Sequence, residues 1–151
     1  MKNQVHVLLV EDNPADADLT REGFAGGLLP VELTVAVNGQ EAIEFIRKRG
    51  RYAAAATPDL ILLDLNLPGI DGRAVLREIK GDDNLKMIPV SILSSSAAGR
   101  DVDQSYGLGA NCYVVKPIDF KSFQAIVQAI EEFWFAVATL PRMRGAERPT
   151  A

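Results

Sequence analysis

Asp59-Leu-Ile-Leu-Leu-Asp64-Leu-Asn-Leu-Pro-Gly69 decides the fold. Its apolar run reads as a short strand buried on both faces, the kind a parallel sheet needs when helices cover both sides. Asp64 closes that run. A carboxylate therefore stands at the C-terminal end of a buried strand, where parallel α/β sheets carry their ligands. Two other apolar runs end in groups of complementary kind. Val7 to Val10 runs into Glu11-Asp12, and Cys112 to Val115 runs into Lys116-Pro117. Three acids and one lysine would meet at one rim.

Outward from this stretch, apolar runs alternate with segments of helical period, which predicts parallel strands joined by right-handed helical crossovers. Five strand–helix pairs are expected. The first strand is Val5 to Val10, and Asp12 or Asn13 can cap a helix that starts at Pro14, a residue suited to a first helical position. That helix ends near Gly26-Gly27. The second strand is Val31 to Val37, with a helix near Gln40 to Arg49 after Asn38-Gly39. Tyr52 to Pro58 reads as an Ala-rich loop into the third strand, Leu60 to Asp64. A turn at Gly69 to Gly72 leads to a helix near Arg73 to Lys80. The fourth strand is Val90 to Leu93, with a helix from about Gly99 to Leu108. The fifth is Cys112 to Val115, and the last helix starts after Asp119.

The chain has 151 residues, 48% hydrophobic and 24% charged, which fits one globular domain with a single sizeable core. No stretch approaches the roughly 18 apolar residues of a membrane span, and the N-terminus lacks the apolar region of a secretion signal. A cytoplasmic location is expected. Net charge of −4 and a pI near 5.0 argue against a nucleic-acid surface. Cys112 lies inside an apolar run and reads as a small buried hydrophobe.

Ser94 follows the fourth strand, so four strand ends would present Glu11, Asp12, Asp64, Ser94 and Lys116 around one crevice. The motifs Val10-Glu-Asp-Asn13, Leu63-Asp-Leu-Asn-Leu-Pro-Gly69, Ser94-Ser95 and Tyr113-Val-Val-Lys-Pro117 resemble those of response-regulator receiver domains of two-component signalling. The resemblance spans roughly residues 4 to 133. Within that family, Gly109-Ala-Asn-Cys-Tyr-Val and the ending Ile130-Glu-Glu-Phe-Trp-Phe-Ala-Val-Ala-Thr-Leu-Pro141 look like the phytochrome-coupled single-domain regulators.

The resemblance implies a flavodoxin-like (βα)5 sheet in the order 2-1-3-4-5, with its switch point between strands one and three. Glu11, Asp12 and Asp64 flank that point. Carboxylates about 5 Å apart would repel by roughly 3 kcal/mol per pair at an effective dielectric near 20, which calls for hydration, protonation or a cation. Mg²⁺, which takes oxygen ligands and substrate phosphate, suits them. By resemblance, Asp12 and Asp64 coordinate it directly, Asn66 offers its main-chain carbonyl, and Glu11 acts mostly through water. Asp64 would be the phosphoacceptor, with Lys116 neutralising charge on the phosphoryl oxygens. Pro117 resembles the family's cis-proline, whose bend aims that lysine inward. Ser94 would donate to a phosphoryl oxygen, and Tyr113 would be the switch aromatic, moving from outward to inward. Asn66 and Ser96 occupy the two positions that tune dephosphorylation.

Simpler readings stand beside these. Asp12 alone could be a helix cap, Asp64 a strand terminator, Ser94 a turn former and Lys116 a solvated side chain. Tyr113 could be a core aromatic. His6 reads as structural or exposed, so a phosphate-donating histidine should belong to a sensor histidine kinase, by resemblance of the phytochrome type. Asp119 reads as a helix cap.

Phe123, Ile126, Val127, Ile130, Trp134 and Val137 recur at helical spacing and would form the buried stripe of an extended last helix, widened by Phe133 and Phe135. Apolar surface beyond what one sheet face can cover suggests a homodimer through helix four, strand five and helix five. Phe133, Trp134 and Phe135 would take part, with the segment after Ala138 reaching across. The receiver is read as residues 4–138 and the remainder, 139–151, as a flexible tail whose arginines touch the kinase. So short a tail leaves no room for an output domain, and action through a downstream protein partner is expected. Two other classes compete. A flavin protein or phosphatase could use this sheet, but no Gly-rich phosphate loop is present and Asp64-Leu-Asn66 lacks the second acid of an Asp-x-Asp phosphatase. A receiver-like scaffold that takes no phosphate is disfavoured by the intact set Asp12, Asp64, Ser94 and Lys116.

Overall fold

A computed structural model describes residues 4–27 and 29–141. Five parallel strands form one sheet in the order β2-β1-β3-β4-β5. They are β1 (Val5–Val10), β2 (Val31–Ala36), β3 (Leu60–Leu63), β4 (Val90–Ser94) and β5 (Cys112–Val115). The crossovers are α1 (Pro14–Ala25), α2 (Gly39–Ile46), α3 (Gly72–Lys80) and α4 (Gly99–Gly107), and α5 (Phe120–Glu132) follows the last strand. β3 is buried at every position, because it is central and helices cover both of its faces.

Alternation along the strands divides the core in two. Leu8, Val10, Ile61, Leu63, Val90 and Ile92 face α2 and α3, where Val75, Leu76 and Ile79 are fully buried. Val7, Leu9, Leu60, Leu62 and Leu93 face α1 and α5, meeting Phe24, Phe123 and Val127. Four helices begin at side-chain caps that satisfy otherwise orphaned N–H groups. Asn13 accepts from Ala15 and Asp16, Asn38 from Glu41, Asp71 from Ala74 and Asp119 from Ser122. Asn13, not Asp12, therefore caps α1, which leaves the Asp12 carboxylate outside the capping bonds.

The expected elements are all present, with shifts at their ends. α2 stops at Ile46 rather than Arg49, since Lys48 takes a left-handed conformation (φ 56°) and a 3₁₀ turn follows at Gly50–Tyr52. Cys112 is half-buried rather than enclosed, because β5 is an edge strand. α5 continues into a π-helical turn, Phe133–Val137, closed by a bond from Ala138 N to Phe133 O at 2.7 Å. The helical stripe survives through Ile130 but then changes phase: Trp134 and Phe135 pack against the α1/α5 core, whereas Val137 is exposed. Phe135 lies 6.5 Å from Phe24 between ring centres. Among the described residues no helix is long and apolar enough to cross a membrane. The expected tail falls largely on residues 142–151, outside the described residues.

Candidate functional site

The main-chain ladder extends past the strands and fixes the rim residues. Glu11 N donates to Ala36 O, Asp64 N to Val10 O and Lys116 N to Ser94 O, at 2.9, 3.1 and 2.7 Å. Glycines complete the frame. Gly69 takes φ +72°, which L side chains rarely adopt, and a Cβ on Gly72 would collide with the carbonyl of Asp64. The first turn of α3 thus presses directly against the backbone of the candidate phosphoacceptor.

Glu11, Asp12 and Asp64 each bring a carboxylate oxygen to one place, all within 4.8 Å of one another. Glu11 and Asp64 are buried, while Asp12 is exposed at the mouth. Between the buried pair stands Lys116. Its Nζ donates to Glu11 Oε1 at 2.6 Å, Asp64 Oδ2 at 2.9 Å and Asp16 Oδ2 at 3.0 Å. Asp64 Oδ1 accepts from Asn66 N at 3.0 Å, so both of its oxygens are held. Burial opposes the charge on Lys116, but the hydrogen bonds it donates to Glu11, Asp64 and Asp16 outweigh it and keep the ammonium above its ordinary pKa. Burial pushes Glu11 up to about 7, against the opposing pull of Lys116.

This donor set fits a hard divalent cation: oxygen ligands only, one side open, and more negative charge than one lysine cancels. Asp16 did not emerge from the sequence. Its place in the first turn of α1 after the Asn13 cap was the available signal, since that turn stands over the rim.

The Lys116–Pro117 bond corrects an expectation. No described peptide bond is cis, so the bend inferred from resemblance is absent. A trans bond is the favoured isomer for X-Pro. The bond from Lys116 N to Ser94 O, with the Nζ contacts, aims the lysine inward without it.

Ser94 is fully buried at the end of β4, and its Oγ accepts from Ser96 N at 3.2 Å. Ser96 Oγ donates to Asp101 Oδ2 at 2.5 Å, and Ser96 O accepts from the Tyr113 hydroxyl at 2.8 Å. Tyr113 therefore already takes the inward orientation, packed against the α2/α3 core. Asp101 also accepts from Arg73 Nη2 at 2.8 Å. His6 lies away from the site, its Nδ1 3.3 Å from Glu32 Oε1, as a structural reading requires. The aromatic cluster separates: Phe133 is half-exposed, while Trp134 and Phe135 cover this chain's own core.

Residues 7–130 match the response regulator receiver domain family. Response regulator Rcp1 of Synechocystis sp. is 44% identical over 135 residues, covering 89% of this chain and 92% of that protein. The phosphorylated cyanobacterial phytochrome response regulator RcpA superposes with a TM-score of 0.90 at 48% identity, covering 92% of this chain and 99% of that one. The Mn²⁺-bound form of Rcp1 superposes at 0.87 with 43% identity, covering 91% and 99%.

Proposed function

This chain belongs to the response regulator receiver family, and from that premise we propose that it takes a phosphoryl group on Asp64 from a phytochrome-type sensor histidine kinase. It is a phosphoacceptor signalling protein. The observation that carries the site assignment is the convergence of Glu11, Asp12, Asp64 and Lys116 at the C-terminal rim of β1, β3 and β5. The similarity to phytochrome response regulators supports the choice of kinase.

In the transfer, a carboxylate oxygen of Asp64 attacks phosphorus as the bond to the donor imidazole breaks, and the imidazole leaves with the electron pair. Asn66 N holds Asp64 in register for this attack. The Lys116 ammonium turns from Glu11 and Asp64 toward the arriving phosphoryl oxygens and offsets their charge. Asp12, Asp64 and the Asn66 carbonyl would hold Mg²⁺, with Glu11 acting through water, and the ion would supply the remaining charge neutralisation. Structure of a relative with Mn²⁺ supports a divalent ion here. Ser94 donates its hydroxyl proton to a phosphoryl oxygen.

Phosphorylation then shifts an existing equilibrium. The Ser94 bond draws the β4–α4 loop toward the site, and the Tyr113–Ser96 contact stabilises that arrangement. The surface of α4, β5 and α5 is the output, presenting Tyr106, Val115, Phe120 and Phe133 to a downstream protein or a second copy of this chain. Asn66 and Ser96, small and uncharged, leave room for the hydrolysing water. The receiver unit is residues 4–138.

The test is phosphotransfer from an autophosphorylated phytochrome-type kinase to the wild-type chain and to Asp64→Asn. Label should pass to the wild type alone. Transfer to Asp64→Asn at the wild-type rate would defeat the assignment.

A further inference from the structure

Ser96 uses every polar group it has, and only one of them faces the site. Its N–H donates to Ser94 Oγ, its carbonyl accepts from Tyr113, its Oγ accepts from Ala98 N at 3.3 Å, and its hydroxyl proton goes to Asp101. Asp101 stands in the first turn of α4 and is itself held by Arg73 of α3, whose Nε also donates to Gln104 Oε1 at 2.9 Å. The Arg73 and Asp101 side chains are 21% and 19% exposed, so water competes only partly for this pair. α4 has no side-chain cap and buries only Ser105. Little apolar packing fixes the start of α4, and this polar chain takes that role.

We propose that Arg73 and Asp101 are positioning residues which clamp the β4–α4 loop through the Ser96 hydroxyl, and thereby set how long the phosphoryl group survives on Asp64. The inference rests on the phosphoacceptor reading above. With the clamp closed, Ser96 N stays on Ser94 Oγ, leaving the Ser94 proton free to face the phosphoryl oxygen, and the loop shields the acyl phosphate from water. With the clamp open, the Ser96 hydroxyl is released and the loop admits water beside the scissile P–O bond. Hydrolysis follows, with water adding to phosphorus and Asp64 leaving as carboxylate.

The full chain, its Arg73→Ala, Asp101→Ala and Ser96→Ala variants, and the Asp101→Ala/Ser96→Ala pair would be phosphorylated with acetyl phosphate and Mg²⁺. After donor removal, the phosphorylated fraction would be followed by intact mass. Each single variant should lose phosphate about 3- to 10-fold faster, the range of one hydrogen bond. The pair should decay no faster than Asp101→Ala alone, because both residues act through one bond. Ser96→Thr, which keeps the hydroxyl, should restore the wild-type lifetime, an outcome general destabilisation does not give. Wild-type lifetimes in Arg73→Ala and Asp101→Ala, or fully multiplicative effects in the pair, would overturn the clamp while leaving Asp64 as acceptor. No phosphoryl group on the wild type would remove the phosphoacceptor reading and the clamp with it.

Discussion

Lys116 Nζ lies 2.6 Å from Glu11 Oε1, a contact between residues 105 positions apart. β4 and β3 separate their strands in the sheet, so the lysine ties an edge strand back to the centre. It is the internal counter-ion of Glu11 and Asp64, and it is the group we propose for the phosphoryl oxygens. Removing one partner of a buried pair leaves an uncompensated charge. Lys116→Met should therefore lower stability in urea by about 3 kcal/mol at pH 8, and saturating Mg²⁺ should restore part of the loss. Equal stability with and without Lys116 would show that hydration, not the lysine, balances these acids.

The same burial makes metal binding pH-dependent. Glu11 has a folded value of about 7 against an ordinary 4.5, so between those values the folded chain holds a proton that the unfolded chain releases. Stability of the metal-free chain then falls as pH rises through this window. A divalent cation beside Glu11 favours loss of that proton, so Mg²⁺ affinity should rise with pH up to about 7, by at most about tenfold per unit, and level off above. Titration calorimetry in two buffers would register the released proton. Glu11→Gln should flatten the profile.

Tyr113 holds the β4–α4 loop from the β5 side through its hydroxyl on Ser96 O. Tyr113→Ala should leave Asp64 phosphorylation intact while weakening the phosphorylation-dependent change in the α4–β5–α5 surface, read by hydrogen exchange of α4. Tyr113→Phe isolates the hydroxyl and should give an intermediate response. Equal loss of phosphorylation and response would place Tyr113 in the chemistry rather than the switch.

Trp134 and Phe135 cover this chain's own core, whereas Phe133 and Val137 are 50% and 68% exposed. If two copies meet through α5, the exposed pair carries the contact. Phe133→Asp with Val137→Asp should shift the light-scattering mass toward monomer, at a cost in monomer stability of about 0.5–1.5 kcal/mol from the lost edge-on contact of Phe133 with Trp134, whose ring centres lie 5.0 Å apart. Phe135→Ala should instead cost about 1–2 kcal/mol of stability, less than a fully buried ring because Phe135 keeps some exposure. A wild-type mass that stays that of a monomer at every concentration, with and without phosphate, would exclude the dimer.

Strand ends were readable because apolar runs stop abruptly at Glu11, Asp64 and Lys116, and parallel topology sends all three to one rim. Asp16 was not, since reaching Lys116 depends on the turn of α1 over that rim rather than on any motif. The Arg73–Asp101 pair spans 28 residues between two helices and leaves no periodic trace. The π-turn defeated the stripe at Val137 because i to i+5 bonding alters the angular step that places each side chain. Resemblance supplied a cis bond at Pro117 that this chain lacks.

The most direct test of the account is intact mass after incubation with acetyl phosphate, with Mg²⁺ or with chelator, for wild type and Asp64→Asn. A single phosphoryl group on the wild type, absent from Asp64→Asn and absent after chelation, is the predicted result. Folded wild-type protein that gains no phosphoryl group, or gains it equally in Asp64→Asn, would contradict the account.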